Sequence, residues 1–497
     1  MQAINKELDK NLIYNSNYIR DNVNLTPLQK IYNVNNKITP LIAIITSIFT
    51  LSLIIIAFIF RIELYVFLIT LALPLIWLMI HYPRLWIYSI VLTFTIFMQE
   101  GDTEVNALHI FAGVFYNSFL IIWFLYKLII KKENLIRNFS DQLFLFFYIV
   151  LIFNAAIAIG NDVNWFDWLR EYLSYSLILY YFPIREYFKE PKHIIKLVFL
   201  IGLVTICLDL IQFYNYIKIL KNIIYAYQFS NSMRINQHIF SAVGFSGIAF
   251  FFYFKSIRGK LFSFIVTILS ISALISTLSR AFWVTLLAMI MIFLFYLSKK
   301  QLIQLISLFI IFLGITVFSL NTFMPDKANI FYKYLGQRFS STGQGKKDIS
   351  IRSRLYEFKK VNRLIEESPI WGHGLRYEFS FFENIKQATK KTSFVHNGYL
   401  NIAYKTGIPL TIAFYLPLLL YLVQGFLISI RTSSYLHRTI SICAFLTLLM
   451  LFVTNFVTSS FLFRDGLMTT AISIAFISIS LEYYKNNEIP KKLKILC

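Results

Sequence analysis

Leu261–Ser279 reads LFSFIVTILSISALISTLS, nineteen residues without a charge, bounded by Lys260 on one side and Arg280 on the other. Coiled as a helix, a run of about 20 apolar residues crosses a bilayer and satisfies its own backbone hydrogen bonds, which no irregular segment can do in hydrocarbon. Ile38–Phe60 and Leu302–Leu320 are further runs of the same kind. Over all 497 residues, 57% are hydrophobic, 18% aromatic and only 14% charged, with a mean hydropathy of +0.63. A soluble domain carries about 25% charged residues. The composition therefore excludes a soluble enzyme, a disordered scaffold and a disulfide-stapled module. The runs also argue against a β-barrel, since its strands would alternate where these are continuously apolar. The expected fold class is all-α, a polytopic transmembrane helical bundle of about 12 to 14 spans with one large, partly helical extracytoplasmic loop.

Lys and Arg number 47 against 25 Asp and Glu, a net charge of +22. In membrane proteins, basic residues gather in short cytoplasmic loops, so this excess reports orientation and not nucleic-acid binding. Alternate loops are basic (His81–Arg84, Lys127–Arg137, Arg185–Lys196, Lys255–Lys260, Lys299–Lys300 and Arg431–Arg438), while Glu100–Glu104 and Asn161–Asp167 are acidic. The resulting frame has a cytoplasmic tail at 1–37, spans within 38–320, an extracytoplasmic catalytic loop at 321–400, spans again within 401–483 and a cytoplasmic tail at 484–497. Cys207, Cys443 and Cys497 form no CxxC pair or metal-ligand spacing.

The loop 321–400 is the longest soluble connection, and it holds 14 Lys and Arg against 7 Asp and Glu. Long translocated loops escape the charge rule, so the excess points to anionic lipid headgroups or to an anionic ligand. Within it, Ser350–Ser368 has helical periodicity in Ile351, Leu355, Phe358, Val361 and Ile365, with Ser350 as a cap and Pro369 as a stop. Arg352, Lys359 and Arg363 share another face, a basic stripe that an ordinary solvated helix also shows. Arg352 lies in the first turn, where the helix dipole disfavours a cation unless an anion compensates it. Arg280 follows twenty residues that climb about 30 Å from Lys260, which puts it at the outer membrane face as a snorkelling anchor or a ligand contact. Arg234 and His238 open another span on that face, and His396 begins the re-entry segment, where an imidazole can take a proton near neutral pH.

Thr277-Leu278-Ser279-Arg280-Ala281, Arg352 four residues before Tyr356, Pro369-Ile370-Trp371-Gly372-His373-Gly374, and His396-Asn397-Gly398-Tyr399-Leu400 with Gly407 occur in this order. Together they resemble the bacterial O-antigen ligase and O-antigen polymerase family, over about Arg234 to Gly407. Two departures stand out: Leu278 and Ala281 replace glycines that often flank the Ser-Arg motif, and Asn236-Gln237-His238 replaces an Asn-Pro-Asn-like stretch.

The resemblance implies a multi-pass protein of the bacterial inner membrane that moves a glycan from undecaprenyl diphosphate to an acceptor sugar in surface polysaccharide assembly, without metal or other cofactor. The acceptor would be lipid A core, as in lipopolysaccharide ligation, or a second lipid-linked glycan, as in polymerisation. It further implies catalytic roles for His396, Arg280 and Arg352, and substrate contacts from Arg234, Ser279, Asn397, Tyr399 and His238. The alternatives are oligosaccharide transfer to protein and a polysaccharide flippase or transporter. A transporter should carry ionisable residues deep in its spans, of which Asp209 is the clearest here.

Overall fold

The computed structural model describes residues 76–97, 107–222, 236–323, 349–383 and 388–488, with 329, 332, 333 and 336 between them. The chain divides into two units, Met1–Leu78 and Met79–Cys497. The expected tail at 1–37, the span at 38–60, most of that at 64–80, and Arg234 lie outside the described residues.

Among the described residues of the second unit, the α-helices are α1 (Pro83–Phe97), α2 (Ala107–Leu125), which runs on into a π-helical turn at Tyr126–Ile130, α3 (Phe139–Gly160), α4 (Trp165–Tyr175), α5 (Tyr181–Tyr187), α6 (Pro191–Asn222), α7 (Gln237–Tyr253), α8 (Ile257–Ser276), α9 (Arg280–Leu294) and α10 (Lys299–Phe323), then α11 (Ile349–Glu367), α12 (Gly398–Thr406), α13 (Ile408–Arg431), α14 (Tyr435–Thr454) and α15 (Arg464–Asn487). Strands β1 (Phe379–Glu383) and β2 (Ala388–Thr392) form one antiparallel hairpin with Phe379 opposite Thr392. Among the described residues, six helices are long and apolar enough to cross a membrane, and three shorter apolar ones accompany them. The protein is an all-α polytopic membrane protein.

Burial distinguishes centre from periphery. The apolar windows of α14 and α15 are 78% and 72% buried, whereas the other four candidate spans are 39% buried. In α3, Phe144, Phe147 and Leu151 face the interior, while Phe146, Ile149 and Phe153 are exposed. Large apolar side chains on the outside are stable only against lipid. Several polar groups inside the bundle are paired. Asp141 accepts from Tyr181 at 2.7 Å and from Arg185 at 3.0 and 3.1 Å, which ties α3 to α5. Asp209 is buried and accepts from Ser270 at 3.0 Å.

The span expected at 172–184 is not one regular helix. A 3-10 segment, Ser176–Tyr180, separates α4 from α5. Pro183 has no N–H to give to the carbonyl four residues earlier, so an α-helical ladder cannot run through this stretch unbroken.

The segment beyond α10 folds against the end of the bundle where α3 ends and α15 begins. Helix α11 matches its expected range to within a residue, but its buried face does not follow the expected apolar ridge. Ser353, Glu357, Val361 and Leu364 are buried, at spacings of 4, 4 and 3, while Leu355 is exposed. Glu357 takes a core position because an imidazole pairs with it there. Val361 and Leu364 pack with Phe379, Phe381, Val395 and Tyr404 in a small core of their own. Hydrogen bonds fasten this subdomain down: Asn154 Nδ2 to the Lys405 carbonyl at 3.0 Å, Leu375 N to Asn154 Oδ1 at 2.9 Å, and Asn161 Nδ2 to the His373 carbonyl at 2.9 Å. Gly407, at φ +80, lies so close to the Ile370 carbonyl that a Cβ would come within 2.0 Å of it. Only glycine fits that turn between α12 and α13.

Candidate active site

His396 is gripped twice by one carboxylate. Its backbone N–H donates to Glu357 Oε1 at 3.0 Å, and its ring Nδ1 lies 2.7 Å from Oε2. The Glu357 side chain is 2% exposed and that of His396 34%. A carboxylate on Nδ1 keeps the proton of the neutral ring there, so Nε2 carries the lone pair. A partly exposed imidazole with its other nitrogen fixed in this way is equipped to accept a proton from a hydroxyl.

The next residues set the loop in place. Asn397 Oδ1 accepts from the backbone N–H groups of Tyr399 and Leu400 at 3.0 and 3.2 Å, capping α12. The ring of His396 is therefore oriented by Glu357, and the oxygen of Asn397 serves the helix. Gly398 N–H donates to the Asn455 carbonyl at 2.8 Å, and a Cβ at Gly398 would meet Asn455 Oδ1 at 1.9 Å. Glycine after His396-Asn397 is thus demanded by the close approach of α14. Tyr399 donates to the Phe452 carbonyl at 2.9 Å.

His238 repeats the arrangement. Its Nδ1 lies 2.9 and 3.0 Å from the two oxygens of Asp465, and its backbone N–H donates to Oδ2 at 3.1 Å. This pair is buried. It joins the first turns of α7 and α15, which come together at one end of the bundle. Just before it, Asn236 holds φ +56, in the left-handed region that Asn tolerates better than most residues.

Aromatic rings connect the two histidines. His396 meets Phe394 edge-on at 5.2 Å, Phe394 meets Phe463 at 5.8 Å, Phe463 meets His238 at 5.6 Å, and His238 meets Phe282 edge-on at 4.9 Å. Phe282 stands two residues after Arg280, the first residue of α9. The chain of ring contacts therefore links His396 to the first turn of α9. Arg352 stands in the first turn of α11, exposed, five residues before Glu357 and about 7 to 8 Å from it along the helix axis.

The approach to Arg280 is strained. Leu278 is buried at φ +56, where an L-residue other than glycine crowds its own backbone. The position where glycine often stands thus keeps a glycine-like backbone here. Ser279, at the N-cap of α9, makes no side-chain capping bond, whereas Thr277 bonds back to the Leu274 carbonyl at 2.7 Å. A sign inversion is expected from this geometry. Among variants that both remove the buried side chain, Leu278→Gly should be more stable than Leu278→Ala by about 1 kcal/mol. In an ordinary helix alanine is the better of the two. Thermal unfolding of the detergent-solubilised pair measures it, and alanine proving the more stable would discount the strain.

An open groove of about 770 Å³ runs between α11 and α12, lined among others by Leu355, Lys359, Arg363, Asn397, Tyr399 and Phe456. Two members of the predicted basic stripe and two predicted substrate contacts thus border one groove, which begins at the residue after His396. Glu357 and Asp465 escaped sequence reading. Glu357 does lie four and seven residues before Val361 and Leu364, so a carboxylate on the apolar spacing was the available signal; Asp465 offered none. Arg234 lies outside the described residues. Among the described residues, no three His, Cys, Asp or Glu side chains converge as metal ligands would.

Residues 265–415 match the family model described as O-antigen ligase. The matched segment runs from within α8 into α13 and contains Arg280, Arg352, Glu357 and His396; His238 and Asp465 lie outside it. No curated protein matches the chain. The family implies a membrane glycosyltransferase of the O-antigen ligase or polymerase type acting on lipid-linked glycans. By its apolar helices the chain is a polytopic membrane protein, and its residues 265–415 are similar to the O-antigen ligase family.

Proposed function

We propose that this protein transfers a glycan from undecaprenyl diphosphate to a sugar hydroxyl in surface polysaccharide assembly, at the extracytoplasmic face of a bacterial inner membrane. The acceptor is lipid A core or a second lipid-linked glycan. The observation that carries the reading is the partly exposed imidazole of His396, held at Nδ1 by the buried Glu357 beside a groove lined by Lys359, Arg363 and Glu366.

The acceptor hydroxyl gives its proton to Nε2 of His396, and its oxygen attacks the anomeric carbon from the face opposite the leaving group. The bond from that carbon to the diphosphate oxygen breaks, and its electron pair leaves with the diphosphate. The configuration inverts. Arg280 and Arg352 hold the diphosphate, since a planar guanidinium gives two parallel hydrogen bonds to phosphate oxygens and stays charged. Arg234, Ser279, Asn397 and Tyr399 complete the contacts with substrate, whereas the buried His238, expected from sequence to touch substrate, is instead held by Asp465 and braces the bundle end. The charge that develops on the leaving group is balanced by arginine, so the reaction is expected to need no metal.

Purified protein incubated with a polyprenyl-diphosphate oligosaccharide should release polyprenyl diphosphate and lengthen or relocate the glycan, at the same rate with and without chelator. Growth of a ladder on donor alone identifies a polymerase, and transfer that requires lipid A core identifies a ligase. No product with either acceptor would refute the proposal, and a rate abolished by chelator would refute its metal-free form.

A further inference from the structure

His396 stands in a stretch, Ser393–Asn397, that belongs to neither β2 nor α12. No ladder of regular backbone hydrogen bonds fixes it, so its place is set by whatever the backbone groups around it bond to. Glu357 takes the His396 N–H, and Asn401 Oδ1 takes the Val395 N–H at 3.3 Å. The remaining ties come from far along the chain. The Val395 carbonyl, immediately before the histidine, accepts from Ser459 Oγ. The Gly398 N–H, two residues after it, donates to the Asn455 carbonyl at 2.8 Å. The Phe394 ring rests on Phe463 at 5.8 Å. Asn455, Ser459 and Phe463 all stand in the connection between α14 and α15, which therefore grips the chain on both sides of His396.

That connection is tied to itself and to the bundle. The Leu462 N–H donates to the Ser459 carbonyl at 2.9 Å, and the hydroxyls of Thr454 and Ser460 share a hydrogen bond of 2.7 Å. The buried ring of Phe461 meets Tyr415 at 5.7 Å and Phe452 at 5.5 Å. A Cβ on Gly466 would fall 2.0 Å from the Ser460 carbonyl, so the connection lies flush against the start of α15. Its far end is fastened to α7, where Asp465 takes both the N–H and the ring Nδ1 of His238. Asn455, Ser459, Phe463 and Asp465 all fall outside the matched residues 265–415.

We propose that Ser459 and Asp465 are positioning residues for the base: the connection between α14 and α15 fixes where the His396 imidazole stands, and the pair of Asp465 with His238 fixes that connection. The proposal rests on the reading of His396 as the general base. Its side chain is 34% exposed, so one side of the ring is left to substrate and the backbone beneath it is held from behind. Glu357 sets the tautomer and direction of the ring, while Ser459 sets the height of the backbone that carries it. Neither Ser459 nor Asp465 touches substrate.

The test uses full-length protein in nanodiscs, with a polyprenyl-diphosphate oligosaccharide as donor and lipid A core present, read as initial rates of polyprenyl diphosphate release. Ser459→Ala should lower kcat about 10- to 100-fold, the scale of a misplacement of up to about 1 Å, and leave the KM for donor within about twofold. Ser459→Thr, which keeps the hydroxyl, should recover most of that rate. In a His396→Ala background, Ser459→Ala should change the rate by less than about twofold, because a residue that acts through the imidazole has nothing left to place. Unfolding temperatures check that each variant folds; should Ser459→Ala not fold, Asp465→Asn, which keeps the shape, takes its place in the same comparison. Wild-type kcat in the substituted protein overturns the proposal. So does a further loss in the double variant equal to that in the single one, since the residue would then act elsewhere, and so does a Ser459→Thr protein of wild-type unfolding temperature that is as slow as Ser459→Ala. An inactive wild type, or full rate in His396→Ala, refutes the reading on which the proposal rests, whereas a slow His396→Ala beside an unaffected Ser459→Ala refutes the positioning role alone.

Discussion

His396→Ala is expected to lower the rate of glycan transfer about 10²- to 10⁴-fold, the usual contribution of a positioned general base. The fall should lie in kcat, with the KM for donor little changed, because the imidazole meets the acceptor hydroxyl as its proton leaves and not the lipid diphosphate. Glu357→Gln is the sharper companion. A glutamine keeps the shape but has one acceptor oxygen, so it can accept from the ring or from the backbone N–H and not from both, and it does not stabilise the imidazolium that forms when the proton arrives. The two oxygens of Glu357 hold the backbone and the ring of His396 together, so this variant should retain the protein and lose much of the rate. Initial rates of polyprenyl diphosphate release by purified protein measure both. Full transfer by His396→Ala removes the residue from the mechanism, and a Glu357→Gln enzyme indistinguishable from wild type reduces the carboxylate to a structural support.

Arg280→Ala is expected to cost about 3 to 4 kcal/mol of transition-state stabilisation, the scale for loss of one donor at a developing negative charge. That corresponds to about a 10²- to 10³-fold slower reaction. Arg280→Lys should recover only part of the rate, because an ammonium supplies charge without the fork. The effect should be larger than for Arg352→Ala, since Arg352 is the more exposed of the two and water screens its charge more. Surface polysaccharide of normal length and amount in a strain whose sole copy carries Arg280→Ala would contradict the assignment.

The expected helix at 350–368 appears as Ile349–Glu367, and the membrane helices appear wherever the described residues include long charge-free runs. Both are legible because they depend on residues close along the chain: hydropathy sums over neighbours, and a helical face repeats every three or four residues. The interruption at Ser176–Tyr180 had its signal in Pro183, but a run of apolar residues on both sides hid it.

The partners of the histidines were beyond local reading. Glu357 lies 39 residues from His396, and Asp465 lies 227 from His238. Several acids stand nearer to each histidine along the chain, and nothing in spacing selects between them. The choice is made by packing. Once α11 turns its Val361 face into the small core, Glu357 must come with it, and a buried carboxylate is stable only beside a donor. The left-handed backbone at Leu278 is hidden likewise, since the residue type alone argues against it.

By itself, the amino-acid sequence determined that this protein lives in a bilayer as helices and that arginines and a histidine stand at the ends of particular segments, because the penalty for exposing apolar surface or an unpaired backbone depends on composition over about twenty residues. Tertiary structure alone decided which carboxylate holds which imidazole and that aromatic rings join the two. Those are relations between atoms brought close only by folding, and their energies depend on distance and burial, which the chain does not possess until it is packed.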